Sequence, residues 1–186
     1  PRWANLYERH PDIDVQLITS LNPADFERDD FDLSIQVLPE GVNLTGMRVD
    51  KLLDIVTYPV CSPDMARKFT RPEDLRQAVL LHESPRPTDW PRWLKEAGIT
   101  DIDTNKGLHF ESANMALHAA ENGLGVTIGI EALVRDSIAS GRLVKLFDVV
   151  RHSSQPFQLV SSARKSSRPK LTAVREWMLE AAGQPV

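Results

Sequence analysis

Residues 110–130 read FESANMALHAAENGLGVTIGI, and this stretch decides the fold class. Phe110 ends an alternating apolar and polar run, as in a strand, and Ser112 is a good N-cap for the helix that follows. Gly123 can take the left-handed conformation that ends a helix, and Val126–Ile130 is a short, nearly all-apolar strand. The stretch therefore predicts a β-α-β unit on a buried, parallel sheet.

The start of this predicted helix is also the first candidate binding site. Ser112, Asn114 and the free backbone N–H groups there are expected to lie beyond the carboxyl end of a strand, where open α/β sheets bind small ligands, especially anionic ones. The alternative is that Ser112 only caps the helix, since serine is among the preferred N-cap residues. Gly123 and Gly125 do not form a dinucleotide-binding fingerprint, because they follow the helix instead of preceding it.

The composition is that of an ordinary globular chain of 186 residues, 41% hydrophobic and 26% charged. That length suits one sizeable domain or two small ones. A net charge of −4 and a pI near 5.7 give no electrostatic footprint for nucleic acid. The one cysteine, Cys61, excludes an internal disulfide and is compatible with a reducing cytoplasm. No apolar run approaches the length of a membrane span.

Helical and strand patterns alternate along the rest of the chain, which predicts an α/β fold. Helices are predicted at 2–9, from Asn22, at 90–97, at 131–140 and at 169–183. Strands are predicted at 13–19, 31–37, 79–82, 143–147 and 157–160, with two extended apolar runs inside 47–62. Pro59 interrupts the second of these runs, which favours an edge strand, a bend or a crossing between lobes.

Residue patterns typical of enzymes are not found in the sequence. The five histidines include no pair at helical metal-binding spacing, and there is neither a Gly-x-Ser-x-Gly elbow nor a P-loop. Cys61 lies in an apolar run and is predicted to be a buried thiol, not a nucleophile or redox sensor. Trp90 and Trp93 favour core packing, because no basic groove accompanies them. The sequence therefore predicts no enzymatic activity, no metal and no cofactor.

Short sequence motifs distributed over the whole chain together form a pattern typical of one protein family. They are Pro1-Arg2, His10–Ile13, Asp32–Ile35, Pro59–Pro63, Pro72–Leu75, Leu80–Glu83, Trp90–Leu94, Phe110–Gly129 and Ser140–Leu143. In wording and order they resemble the effector-binding domain of LysR-type transcriptional regulators, and within that family the glycine-cleavage-activator branch. No single phrase is diagnostic, but together they are highly specific.

This resemblance implies an α/β fold of the periplasmic-binding-protein-like type 2, with two α/β lobes joined by two crossover strands. Lobe I would comprise residues 1–61 and 157–186, and lobe II residues 62–156. The two crossings would fall near 59–62 and 155–157. The family's N-terminal helix-turn-helix domain and the first strand of lobe I are expected to be missing from this sequence.

The resemblance also implies an effector held in the cleft between the lobes by polar groups at strand ends and helix starts. The residues at those places are Thr19, Ser20 and Leu38 in lobe I, and Ser84, Arg86, Ser112, Asn114 and Gly129 in lobe II. Hydroxyls and free N–H groups suit a small polar, anionic or zwitterionic metabolite. Arg86 is the one cation placed to pair with a carboxylate bidentately, the alternative being a solvated loop arginine. Val37 and Leu38 stand where some relatives carry an arginine, which argues against an aromatic-acid clamp.

The implied function is a small-molecule sensor in the cytoplasm. The effector would shift the relative pose of the lobes in a homodimer or tetramer, provided that it binds the two poses unequally. DNA would be contacted only through the N-terminal domain, and no membrane is involved. A solute-binding protein of a transporter and an enzyme on the same scaffold are the alternatives; an N-terminal helix-turn-helix would indicate the regulator, and a secretory signal the transporter protein.

Overall fold

Helices and strands alternate along the chain in this computed structural model, which describes residues 3–20, 24, 26 and 31–184. The α-helices are α1 (Trp3–Arg9), α2 (Pro63–Ala66), α3 (Asp89–Glu96), α4 (Ala113–Glu121), α5 (Glu131–Ala139) and α6 (Pro169–Ala181), with a 3-10 helix at Pro72–Gln77. The strands are β1 (Ser34–Gln36), β2 (Met47–Leu53), β3 (Val56–Cys61), β4 (Leu80–Glu83), β5 (Leu108–Phe110), β6 (Val126–Ile130), β7 (Val144–Lys145), β8 (Arg151–His152) and β9 (Phe157–Ser162). The predicted α/β class is confirmed.

The chain divides into two compact units. The first unit comprises Pro1–Asp54 and Ser154–Val186, and the second unit comprises Ile55–Ser153. Strand β3 pairs with β6, β7 and β8, all of which belong to the second unit. Because of this pairing the chain changes unit before β3, at 54/55, and not at the implied boundary 61/62. The return falls at 153/154, three residues before the implied boundary 156/157.

The first unit contains a three-stranded sheet in which β9 is the central strand, antiparallel to β1 on one side and to β2 on the other. Helices α1 and α6 share an apolar cluster in this unit. Its buried members are Leu6, Ile13, Val174 and Trp177. The ring of Trp3 lies 5.1 Å from that of Trp177, centroid to centroid, so aromatic contact joins the two helices.

The predicted strand at 13–19 is wrong, because these residues form no strand in the structure. Ile13 is buried in the helix cluster, but Leu17 and Ile18 are 66% and 60% exposed. An alternating pattern forms a strand only where a neighbouring strand takes up its backbone N–H and C=O groups. No described strand pairs with this segment. The helix predicted from Asn22 lies mostly outside the described residues.

The second unit contains a mixed six-stranded sheet in the order β5-β4-β6-β3-β7, with β8 also paired to β3. Strand β4 is parallel to both β5 and β6, whereas β3 is antiparallel to all of its partners. The β-α-β unit predicted at 110–130 is confirmed as β5, α4 and β6, with β4 inserted between the two strands. The prediction of a parallel sheet is therefore correct for these three strands but not for the sheet as a whole.

Pro59 lies inside this sheet and not at its edge. On one side of β3 it is paired with Ile128 of β6. On the other side β8 pairs with β3 as far as Thr57, and β7 pairs from Val60 onward. Pro59 therefore falls in the gap between two short strands, where its lack of an N–H leaves no ladder hydrogen bond unmade.

Apolar clusters cover both faces of this sheet. Neighbouring strand residues point to opposite faces, so Leu80 joins the cluster under α3 and the 3-10 helix, while Leu81 joins the cluster under α4 and α5. Trp90 and Trp93 are buried in the first of these clusters, and their indole N–H groups donate to backbone carbonyls at 3.1 and 3.2 Å. The prediction that both tryptophans are core residues is confirmed.

Arg175 of α6 and Asp50 of β2 form a two-point ion pair within the first unit. Arg175 Nε donates to Asp50 Oδ2 at 2.6 Å, and Arg175 Nη2 donates to Asp50 Oδ1. Arg175 is buried, and Asp50 is largely so. Chiefly through this hydrogen bond, the guanidinium holds the pKa of the Asp50 carboxyl below its usual value.

We expect Arg175→Met to lower the free energy of unfolding by roughly 2–4 kcal/mol, because it removes the only hydrogen-bonded partner found among the described residues for a largely buried carboxylate, leaving it only the more distant Arg48, whose Nε lies 3.7 Å from Asp50 Oδ2. Since the folded-state pKa of Asp50 is lowered, the contribution of the pair is complete above the unfolded pKa of about 3.9 and is lost as the pH falls through the folded value. Urea unfolding at neutral and acid pH measures this. The control is Arg9→Met, which breaks an exposed pair with Glu180 and should change little; equal losses in the two variants would contradict the assignment.

Candidate functional site

Three parallel strands of the second unit end side by side. The register pairs Glu83, the last residue of β4, with Phe110, the last residue of β5, and pairs Leu81 of β4 with Thr127 of β6. The Ser84 N–H donates to the Phe110 carbonyl at 2.8 Å, which continues the pairing by one residue. The residues that follow β5, β4 and β6 therefore share the carboxyl edge of the parallel strands, where open α/β sheets bind ligands.

Ser84, Ser112 and Asn114 lie at this edge, as the sequence predicts. The Ser112 hydroxyl accepts a long hydrogen bond of 3.4 Å from the Met115 N–H, so its capping role is seen in the structure. Asn114 is exposed on the first turn of α4. Within the described part of the chain, no hydrogen bond is found for the Asn114 side chain or the Ser84 hydroxyl. These groups, together with the first N–H groups of α4, are free to bind a ligand.

Arg86 is neither a solvated loop arginine nor an open one, since its side chain is only 24% exposed. Its Nε donates to Glu83 Oε2 at 2.9 Å, and its Nη2 donates to Glu83 Oε1 at 2.6 Å. Nη2 also donates to the Ile128 carbonyl at 3.2 Å. The bidentate face that the sequence analysis assigned to a ligand carboxylate is therefore occupied by Glu83.

Asp89 is the second carboxylate beside Arg86. Its Oδ2 lies 3.1 Å from Arg86 Nη2, close enough for an ion pair, yet among the residues that the structure describes this buried oxygen has no partner with hydrogen-bond geometry. Burial raises the pKa of the Asp89 carboxyl, and the neighbouring Arg86 charge opposes that rise. Sequence reasoning placed the 86–89 loop at the cleft but did not identify Glu83 and Asp89 as partners of Arg86. The available signal was their spacing, three residues before and three residues after Arg86.

Gly129 lies within β6, opposite Tyr58 of β3. A Cβ atom at this position would lie 2.7 Å from Cγ1 of Val134 on α5 and 3.1 Å from Cγ2 of Val60 on β3. Glycine is thus required by the close packing of α5 on the sheet. The expectation that Gly129 contacts a ligand remains a prediction. Core packing alone is enough to explain why this position is a glycine.

Thr19, Ser20 and Leu38 belong to the first unit. Thr19 and Ser20 are exposed and lie at the end of segment 13–20, which is neither helix nor strand. Leu38 is buried, and its N–H donates to Gln158 Oε1 at 3.2 Å, so that donor is already used inside its own unit. A joint site with the second-unit residues stays a prediction.

The remaining reactive groups have structural explanations. Cys61 is buried, and burial raises the pKa of its thiol to about 12, so the nucleophilic thiolate is not populated at neutral pH. Among the residues that the structure describes, no three or more histidine, cysteine or acidic side chains are arranged to hold a metal ion. In the same residues, every helix is too short or too polar to cross a bilayer.

We expect Gly129→Ala to lower the free energy of unfolding by roughly 1–3 kcal/mol, because the new methyl group overlaps Val134. Shortening that neighbour makes room for the methyl group. In the Val134→Ala background, the same glycine substitution should therefore cost much less. A double-mutant cycle measured by urea unfolding tests this coupling. Additive losses would show that the close contact with Val134 does not explain the glycine.

Comparison with known proteins identifies relatives over nearly the whole chain. The family model of the LysR substrate binding domain matches residues 1–183. The glycine cleavage system transcriptional activator of Escherichia coli K12 is 33% identical over 185 residues, which cover 98% of this chain and 60% of that protein. The transcriptional activator AmpR of Pseudomonas aeruginosa PAO1 is 28% identical over 183 residues, again 98% of this chain and 60% of that protein. The chain thus spans about 60% of the length of these curated relatives.

Solved structures show the same architecture. The effector domain of AmpR from Pseudomonas aeruginosa superposes with a TM-score of 0.81 at 26% identity, covering 98% of this chain and 87% of that one. The regulatory domain of CrgA from Neisseria meningitidis has a TM-score of 0.77 at 21% identity, a likeness of fold alone, covering 98% and 91%. The implied type 2 periplasmic-binding-protein-like fold is confirmed by these similarities.

Proposed function

The chain belongs to the family of LysR substrate-binding domains, and on that premise we propose that it is the ligand-sensing domain of a LysR-type transcriptional regulator. The observation that carries the proposal is the family match, which extends over residues 1–183. The relatives are named as regulators, which favours neither a transporter's solute-binding protein nor an enzyme. The full protein would act in the cytoplasm.

The ligand would be a small polar or anionic metabolite, bound where the second unit presents its strand ends. Ser84 and Ser112 offer hydroxyls there, and Asn114 offers an amide. The start of α4 adds free N–H groups and the positive end of its dipole, both of which favour a negatively charged or acceptor-rich ligand. Thr19, Ser20 and the backbone near Leu38 would complete the site from the first unit.

Regulation would follow from a change in the relative pose of the two units. The chain passes between them near residues 54 and 153, so the backbone at these passages would absorb the change. The ligand shifts the equilibrium only by its difference in affinity for the two poses. The pose would then set how a homodimer or tetramer presents its DNA-binding domains, which lie outside this chain.

The sheet of the first unit would accept a further strand at its β1 edge. Among the described residues, β1 pairs on one side only, with β9. Ile35 of β1 and Val37 after it are 52% and 43% exposed, so apolar surface accompanies the free backbone groups of this edge. Backbone groups and apolar surface at this edge both favour an added strand.

A thermal-shift screen of the full-length protein against amino acids, small organic acids and cell-wall fragments tests the sensing role. We expect at least one compound to raise Tm, since a ligand at a hundredfold excess over Kd stabilises the folded state by about 2.7 kcal/mol. Ser84→Ala should weaken that binding roughly tenfold while leaving the stability of the free protein unchanged, because its hydroxyl has no bond to lose within the described structure.

The matched control is Ser140→Ala, at the far end of α5. It should bind every hit as tightly as the unmodified protein does. If no compound raises Tm, or if Ser84→Ala and Ser112→Ala both bind the hits like the control, the site lies elsewhere.

A further inference from the structure

The contacts of Arg86 leave it unable to grip a carboxylate in the usual way. A guanidinium carries five N–H donors, one on Nε and two on each terminal nitrogen. The Nε donor is used by Glu83 Oε2, and the two Nη2 donors are used by Glu83 Oε1 and the Ile128 carbonyl. Bidentate pairing with a second carboxylate needs Nη2 together with Nε or Nη1. Neither arrangement is available, because the donors of Nε and Nη2 are already used, and only Nη1 is left to donate to a ligand.

The same contacts join three elements around the loop that carries Ser84. Glu83 is the last residue of β4, Ile128 lies in β6, and Asp89 opens α3. The Glu83 side chain is only 6% exposed, so its charge depends on the arginine for compensation. Arg86 therefore stabilises the turn at 84–88 against the ends of two parallel strands.

From this geometry we propose that Arg86 is a positioning residue. It holds Ser84 at the carboxyl edge of the sheet and does not bind a carboxylate of the effector. The negative charge of a ligand would then be met by N–H groups at the start of α4 and by hydroxyls. Such a site favours a ligand whose acceptor atoms each take a single hydrogen bond over a ligand whose carboxylate needs a bidentate arginine. The proposal rests on the proposed function only in placing the effector at this edge.

Hydrogen exchange of the arginine side chains in the intact, isotope-labelled chain tests the first half of the proposal. The Nε–H of Arg86 should exchange roughly tenfold or more slowly than that of Arg92, an exposed arginine on α3. Titration with sodium acetate, a simple carboxylate probe, should produce no saturable shift of the Arg86 signals. A saturable shift would show that the guanidinium is open to carboxylates and would overturn the proposal.

Backbone hydrogen exchange in variants tests the second half. In Arg86→Met, the Ser84 amide, which donates to the Phe110 carbonyl, should exchange roughly tenfold faster or more. The Val126 amide, bonded to the Val79 carbonyl, should change much less and so serves as the internal reference. Arg86→Lys keeps the charge without the fork and should give an intermediate rate. Arg92→Met is the matched control and should leave the Ser84 rate unchanged.

Equal Ser84 rates in Arg86→Met and Arg92→Met would also overturn the proposal. If Arg86→Met does not fold, the lysine variant and the side-chain exchange of the unmodified chain still decide. None of these measurements needs the effector. A failed ligand screen together with a protected Arg86 would therefore contradict the effector site but not the positioning role.

Discussion

Parallel pairing of β4 with both β5 and β6 is the constraint on which the candidate site depends. Parallel strands run in the same direction, so the segments that leave them emerge at one edge. Helix α4 begins just after β5, and α5 begins directly after β6, so the free N–H groups of two helix starts are directed to that edge. The polar residues found there are few, but the topology alone brings them together from three distant parts of the chain.

The second consequence of this arrangement is electrostatic. Glu83 ends a strand that is buried on both faces, and a carboxylate in that position is stable only with a compensating charge. Arg86 supplies that charge, and the donors that it gives to Glu83 can no longer bind a ligand. A cation at a ligand-binding edge is therefore not by itself evidence of an anion site. Its own acidic neighbours have to be counted first, and here two of them lie within reach.

What the sequence predicted well was local. The N-cap Ser112 and the left-handed Gly123 act on residues within a few positions of themselves, so residues 110–130 reveal their own structure. The strand expected at 13–19 failed for the opposite reason, because a strand is defined by partners that can lie anywhere in the chain. For the same reason the sequence could not decide between an edge, a bend and a crossing at Pro59, and the structure excludes only the edge. Family resemblance supplied the fold that periodicity could not. The acidic residues three positions before and after Arg86 are visible in the sequence. They did not reveal its ion pairs, because the spacing of charges does not show which side chains are buried.

The central position of β9 has a consequence for biosynthesis. Strands β1 and β2 are made early, but within the described residues they pair only with β9, more than a hundred residues later, so the first sheet has no central strand until Phe157–Ser162 has left the ribosome. The second unit is one uninterrupted stretch and can complete its sheet as soon as it emerges. In a nascent chain the second unit would thus be folded while the first unit is still unfolded. Its exposed early strands would be the part most in need of chaperone protection.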